Sequence, residues 1–471
     1  MLVLLGFGMI LTFMYLIMSK RLTPVVALIF VPIIFGLLAG GGLELGKSIS
    51  ASIKTVAPTA CLLFFAIVYF GTMIDVGMFD PLIKLILKFA HHDPVRLVIG
   101  TALLTTIVSL DGDGSTTFII VSSAFLPIYL RLGMSPWVLT CIAATSNGIL
   151  NTVPWGGSTA RAAAALKVNP VDIFLPMVPG IAVSLVALLG MAYMLGCAER
   201  KRLGRVELDP AGGVLKGLAA RAMPQPAELA AAGVNLCAAM AAGSGRGIDN
   251  GGAGSAAVEQ MLQRPNAKPR LTWVNVSLTV GVMSLLVADI LPSAVVFMMG
   301  TALALMINFP KVEEQSEQIK AHASSIVGVV GMVFAATVLT GILSGSGMVT
   351  AMAKWLVTVI PASWGPHLAV VTGLLSIPMT FFTSNDAFYF GVLPILSETA
   401  SHYGITPLEM ARASLVGQPL HQSSPLVASF LLLIGLTKVE LGEHFAKTIW
   451  RAVAIGLVML GVGALTNAFP L

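Results

Sequence analysis

Asp111-Gly112-Asp113-Gly114-Ser115-Thr116-Thr117 stands between two apolar segments, each with the composition of a membrane-embedded helix. An acid at the centre of a bilayer costs about 2.5 to 3.5 kcal/mol even on a lenient insertion scale. Two carboxylates and two glycines therefore have no place in an ordinary spanning helix, and the stretch marks a site.

Composition sets the class around it. Of 471 residues, 56% are hydrophobic and 10% charged, and apolar runs long enough to cross a bilayer recur from end to end. The chain reads as an all-α polytopic membrane protein. Leu2 to Met18 has no basic residue before it and no small-residue cleavage site after it, so it reads as a retained helix, not a signal peptide. The net charge of +5 describes loop placement and gives no reason to expect a nucleic-acid partner. Cys61, Cys141, Cys197 and Cys237 show no paired metal spacing and read as packing residues.

Basic residues orient the chain. Lys20-Arg21, the Lys84/Lys88/Arg96 group, Arg131, Arg200 to Arg205, Arg264/Lys268/Arg270, Lys311/Lys320 and Lys438/Lys447/Arg451 are expected on the cytoplasmic side, which puts both termini outside. Spanning helices are then expected near 2 to 18, 23 to 40, 54 to 77, 136 to 167, 171 to 196, 271 to 290, 292 to 309, 324 to 349, 407 to 436 and 444 to 466. Segments 95 to 131 and 367 to 400 must each enter and leave on one face. Both read as re-entrant hairpins with polar tips, which a bilayer tolerates only where protein or water surrounds the backbone.

Residues 198 to 270 form one long hydrophilic interruption, Gly/Ala-rich around 241 to 257, expected to be a flexible cytoplasmic linker. It separates an N-terminal repeat, 1 to 197, from a C-terminal one, 271 to 471. Leu126-Pro127-Ile128 answers Leu393-Pro394-Ile395, Ser135-Pro136 answers Thr406-Pro407, and Pro136 to Pro154 spans the same 18 positions as Pro407 to Pro425. Each half holds five spanning helices, one of them broken, plus one hairpin. An odd number of crossings inverts the second half, and inverted repeats with discontinuous helices are the architecture of secondary transporters, with substrate at the repeat interface.

Four polar breaks are therefore expected to converge. They are Asp111 to Thr117; Asn151, Trp155, Gly156, Gly157, Ser158, Thr159 and Arg161; Ser384, Asn385 and Asp386; and Gln418, His421, Ser423 and Ser424. Half-helices starting there would aim unpaired N–H groups and positive dipole ends at a common centre, which suits an anion. Ser115 or Thr116, Ser158, Ser384 or Asn385, and Ser424 read as N-caps, with Pro425 in the first turn of the last half-helix. Yet Asp111, Asp113 and Asp386 repel a bare polycarboxylate, and Arg161 cannot balance them alone. A ligand that brings its own cation resolves the conflict: citrate bound to Mg²⁺ or Ca²⁺ has a net charge of about −1 and keeps hard oxygen donors around the metal. The three acids are the candidate metal contacts, and Asp113 and Asp386 the candidate carriers of a coupled proton. The metal belongs to the cargo, and no permanent cofactor is expected.

Bland roles stand beside these. Asp111 and Asp113 could cap a tight turn, and Arg161 could serve only to neutralise an acid. His421 could bond a freed carbonyl, and Trp155 and Tyr389 could be packing or gating residues. His91-His92 with Asp93 reads as a solvated amphipathic face, Glu313, Glu314 and Glu317 as loop charges, and Asp75 and Asp289 as interfacial. Paired intramembrane aspartates also suggest an aspartyl protease. The order Asp-Gly-Asp-Gly and four matched breaks argue against it.

Ser109 to Thr117, Pro154 to Arg161, Phe381 to Gly391, Arg412 to Pro419 and the N-terminal Phe13 to Arg21 resemble the citrate/metal:proton symporter (CitMHS) family of the ion transporter superfamily, over nearly the whole chain apart from the linker. The resemblance implies proton-driven symport of a citrate–metal complex across the cell (inner) membrane. It also implies an elevator-like movement of the hairpins and broken helices against a homodimeric scaffold. The family pattern has proline where this chain has Ser158. Ser384-Asn385 fits the Ser-Asn-Thr-like tips with which relatives bind sodium and a carboxylate, whereas Asp111 to Ser115 does not. Within the superfamily, an arsenite or sodium/proton antiporter is the alternative.

Overall fold

Proline opens helix after helix: Pro24, Pro94, Pro136 and Pro407 each occupy a first turn, where the missing N–H costs nothing. The computed structural model describes residues 1–203 and 266–471, apart from positions 20, 43, 91, 92, 113 and 289. Among the described residues all regular structure is helical.

The first half runs α1 (Leu2–Met18), α2 (Pro24–Leu38), α3 (Glu44–Asp75) and α4 (Asp80–Ala90). A hairpin of α5 (Pro94–Val108) and α6 (Gly114–Arg131) follows, then a helix broken into α7 (Pro136–Leu150) and α8 (Gly157–Leu166), then α9 (Pro170–Leu203). The second half runs α10 (Thr272–Ala288), α11 (Ser293–Asn308), α12 (Val312–Ala321), α13 (Ala323–Gly345) and α14 (Met348–Val359). Its hairpin is α15 (Leu368–Phe382) and α16 (Leu393–Ser401); its broken helix is α17 (Pro407–Ser414), a turn at Gln418–His421 and α18 (Ala428–Thr437); α19 (Leu441–Leu465) ends it. By length and apolarity Glu44–Asp75, Pro170–Leu203, Ala323–Gly345, Ser363–Phe382 and Leu441–Leu465 can each cross a bilayer.

Packing divides these helices into two neighbourhoods. α3 lies along α13, flanked by α11 and α2, and the contact is close because Gly341 stands where a Cβ would be 3.0 Å from the Ile49 Cα. Elsewhere α9 and α19 pack on each other and on α7, α9 also packs on α5, and α6 packs on α18. Large apolar side chains such as Leu11, Phe30, Val186, Trp273, Met306 and Val327 face outward, the pattern of helices whose solvent is lipid.

Helices lie at most of the positions where spans were expected, and the differences in their bounds are local. α3 starts at Glu44, not 54: its first turns carry Glu44, Lys47, Ser48, Ser50 and Lys54, so an apolar run does not mark them, and Lys47 pairs with Glu44 at 2.7 Å on the exposed face. α9 runs to Leu203, not 196, since Arg200 reaches Asp93 at 2.5 Å and Arg202 reaches Glu199 at 2.7 Å. The acids read as loop charges, Glu313, Glu314 and Glu317, lie on a helix, α12, where the first two oppose its N-terminal dipole. α14 is unforeseen altogether. Asp75 is more than interfacial: it sits 3.1 Å from His322 Nε2 and accepts from Gln318 at 2.5 Å. Cys61, Cys141 and Cys197 are free thiols. His91, His92, Cys237, Asp289 and the linker core, 204 to 265, lie outside the described residues.

Candidate functional site

The break between α7 and α8 is built by Asn151 and two glycines. Asn151 Oδ1 accepts the Gly157 N–H at 3.1 Å and so caps α8, while Gly156 is the residue before its first turn. A Cβ on Gly156 would collide with the Asn151 carbonyl and lie 3.0 Å from the Val153 oxygen, so no side chain fits there. Ser158 is thus already inside the helix and is not the expected N-cap. Its hydroxyl leaves the helix and donates to Gln418 Oε1 at 2.5 Å.

Gln418 belongs to the break of the second half, and it ties three of the four breaks together. Its Oε1 also accepts from Asn151 at 3.2 Å and from Asn385 at 3.4 Å, and its Nε2 donates to Asn385 Oδ1 at 3.3 Å and to Tyr389 Oη at 2.9 Å. Asn385 additionally donates to Ser158 Oγ at 3.4 Å. Next to it, Asp386 Oδ1 receives the Arg161 Nε–H at 2.5 Å, and Arg161 Nη1 donates to the Gly157 carbonyl at 2.8 Å. Arg161 therefore neutralises an acid, but the acid is at the second tip. Ser384 acts as a cap, accepting the Ala387 N–H at 3.2 Å.

The first tip meets both broken helices by a different set of groups. A short turn, Ser109–Asp111, ends in Gly112 at φ 79, a left-handed conformation that favours glycine. The Trp155 indole donates to the Leu110 carbonyl at 2.7 Å and stacks on Phe70 at 4.5 Å between ring centroids. Across the tip, Asn147 donates to Ser109 Oγ at 2.9 Å and accepts from Gln422 Nε2. A Cβ on Gly114 would meet the Gln422 amide at 3.0 Å and the Ser429 hydroxyl at 2.7 Å.

Ser109, Asn147, Gln422 and Ser429 were not among the expected site residues, though a signal for three of them was present. The offset of 271 residues that relates Pro136 to Pro407 also relates Asn147 to Gln418, Asn151 to Gln422 and Ser158 to Ser429. The structure pairs Asn151 with Gln418 and Gln422 with Asn147, each amide crossing to the other's counterpart.

The remaining expected residues are accounted for individually. Ser115 and Thr116 lie in the first turn of α6, and Thr117 is buried with no hydrogen-bond partner for its hydroxyl among the described residues. Thr159 donates to the Thr152 carbonyl at 2.9 Å. His421 donates from Nδ1 to the Thr380 carbonyl at 2.6 Å, the bland role. Ser423 faces His444 at 3.2 Å, and Ser424 donates to the Phe381 carbonyl at 2.6 Å. Pro425 precedes α18, which starts at Ala428, so it is not in that helix's first turn and Ser424 is not its N-cap. Of the three acids expected at the metal, Asp113 lies outside the described residues, Asp111 closes the tip turn and Asp386 faces Arg161. Among the described residues no three His, Cys, Asp or Glu side chains converge.

The fold is that of a membrane transporter. It matches the crystal structure of the Alcanivorax borkumensis YdaH transporter, described as having an unusual topology, at a TM-score of 0.54 and 14% identity over 97% of this chain and 98% of that one. The chain belongs to the CitMHS citrate transporter family, whose model matches residues 13–417. It is 46% identical to a citrate transporter of Bacillus subtilis (strain 168), over 98% of this chain and 97% of that protein. It is 43% identical to the Mg(2+)/citrate complex secondary transporter of the same organism over the full length of both. The relatives are transporters, not enzymes, which removes the protease alternative.

Proposed function

We propose that this protein takes up citrate complexed with a divalent metal ion, Mg²⁺ or Ca²⁺, in symport with protons. The observation that carries the reading is the meeting of four backbone breaks at one polar centre. Amides, hydroxyls and one guanidinium gather there inside an otherwise apolar bundle. The name of the Mg(2+)/citrate relative supports the choice of cargo.

Arg161 is the group that attracts a cargo carboxylate. A guanidinium has five N–H donors, and the bonds described here use two of them. Asp111, Asp113 and Asp386 face the cargo's metal, and Asp113 and Asp386 exchange the coupled proton. The matching element order of residues 2–203 and 272–465 supports two inverted repeats, with α5/α6 and α15/α16 as re-entrant hairpins. Both termini lie outside, the linker 198 to 270 is cytoplasmic, and two copies form the scaffold of an elevator.

The test is uptake of labelled citrate by proteoliposomes, with Mg²⁺, with Ca²⁺ and with a chelator, each with and without an inside-alkaline pH gradient. Metal-dependent, gradient-accelerated uptake is expected, and Asp113→Asn removes it while leaving insertion intact. Uptake as fast in chelator as in metal would sink the metal-complex reading.

A further inference from the structure

One buried ionisable side chain has no part in the proposal above. His444, on the fourth residue of α19, is fully buried. Its ring lies against Phe430 at 4.8 Å between centroids and beside Phe445 at 6.1 Å. Both nitrogens are bonded to hydroxyls: Nδ1 to Thr140 Oγ1 at 2.9 Å and Thr448 Oγ1 at 3.5 Å, Nε2 to Ser423 Oγ at 3.2 Å. Thr140 is on α7, the first arm of one broken helix, and Ser423 lies in the break of the other, so the imidazole spans the two.

The donors and acceptors set a direction. Thr140 Oγ1 gives its hydrogen to the Trp137 carbonyl at 3.0 Å, so toward His444 it accepts. Nδ1 then carries the proton, and the free lone pair of Nε2 accepts from the Ser423 hydroxyl. A second proton can go only to Nε2. Once it is there, Ser423 must change from donor to acceptor and turn its own hydrogen toward another oxygen of the break.

We propose that His444 is a further binding site of the coupled proton, in addition to Asp113 and Asp386, and that Ser423 passes its charge state to the break of the second half. This rests on the proton-symport reading above. Charged groups near His444 leave it without a bonded acid: Glu443 is paired with Lys447 at 2.7 Å, and Lys447 and Arg451 lie over the Trp137 ring. From α7 the neighbouring ionisable group is Cys141, next to Thr140, and from the second broken helix it is His421, bonded to the Thr380 carbonyl. An imidazolium there is costly alone, as is an anion at the break. A cargo of net charge about −1 and one proton offset each other, so each favours the binding of the other.

The experiment compares the wild type with His444→Gln, whose amide can bond both hydroxyls without titrating, in two proteoliposome assays. One is net uptake of Mg²⁺–citrate driven by an inside-alkaline gradient. The other is exchange of internal for external labelled citrate at symmetric pH, which needs no net proton movement. Gradient-driven uptake is expected to fall about tenfold or more while exchange stays within about twofold. Ser423→Ala, which keeps the imidazole but removes the hydroxyl that relays its charge state, is expected to weaken the gradient effect. Acceleration by the gradient equal to wild type in His444→Gln overturns the proposal, as does equal loss of both assays in well-folded protein, which would leave only a structural strut. A wild type indifferent to the gradient overturns the symport reading itself, before any variant is compared.

Discussion

The ion pair between Arg161 and Asp386 joins the first broken helix to the second tip, and removing both residues should cost less than the sum of its two single variants. The side chains are 21% and 10% exposed, so the pair is mostly desolvated, with Arg161 partly open. Removing one partner of a buried pair typically costs about 3 to 5 kcal/mol, because the other charge stays behind. The partial opening of Arg161 puts Asp386→Asn near the lower end, about 3 kcal/mol, and Arg161→Gln, which strands the more buried carboxylate, slightly above it. The double variant removes both charges and should recover about 2 kcal/mol of the summed loss. Unfolding in mixed detergent–SDS micelles, run as a double-mutant cycle, measures that coupling. Strictly additive losses would refute the view that these charges exist for each other. Transport separates the second role of Arg161: the double variant should fold yet take up citrate poorly, and wild-type KM in that variant would mean Arg161 never touches cargo.

Three further outcomes follow from local geometry. Gly156→Ala forces a Cβ into the Asn151 carbonyl; backbone cannot yield there without opening the α8 cap, so an overpacking cost of about 1 to 3 kcal/mol and near-complete loss of uptake are expected. Trp155→Phe keeps the stack on Phe70 but leaves the Leu110 carbonyl without its 2.7 Å donor; a loss of about 1 kcal/mol, read by the same unfolding assay, is expected. Asn147→Ala and Gln418→Ala occupy equivalent places in the two halves, so both should lower uptake strongly while each shifts the accessibility of a different tip to cysteine reagents. Identical labelling changes at positions 115 and 384 in both variants would contradict that division.

Hydropathy and turn residues located most of the helices and their interruptions, because each is a local property of the chain. Pro136 and Pro407 announce helix starts, and a run such as Asn151 to Thr159 cannot continue an apolar helix. Where a polar side chain points is not local. Ser158 has the composition of a cap, yet Asn151 supplies the cap and frees the Ser158 hydroxyl to cross to Gln418, 260 residues away. His444 sits in a stretch of mixed polarity that reads as the ordinary start of a helix, and only packing brings it between Thr140 and Ser423. The same holds for α12 and α14, whose polarity or shortness hides them from a search for spans.

The pairing of amides across the halves bears on how such a centre could change state. If the two halves are related by an inverted repeat, the contact of Asn151 with Gln418 and that of Gln422 with Asn147 are one interaction seen twice, each gripping a different tip. The surroundings are not equal. One copy has Arg161, Asp386 and Asn385 beside it; the other has the turn carrying Asp111, with Gly114 held against Gln422 and Ser429. A symmetric frame with a cation on one side and an acid-bearing turn on the other suits a cargo that is itself unsymmetrical, a carboxylate at one end and a metal at the other. Under the proposed function, the charges that first made Asp111 to Thr117 look out of place are the ones assigned to the metal end of the cargo.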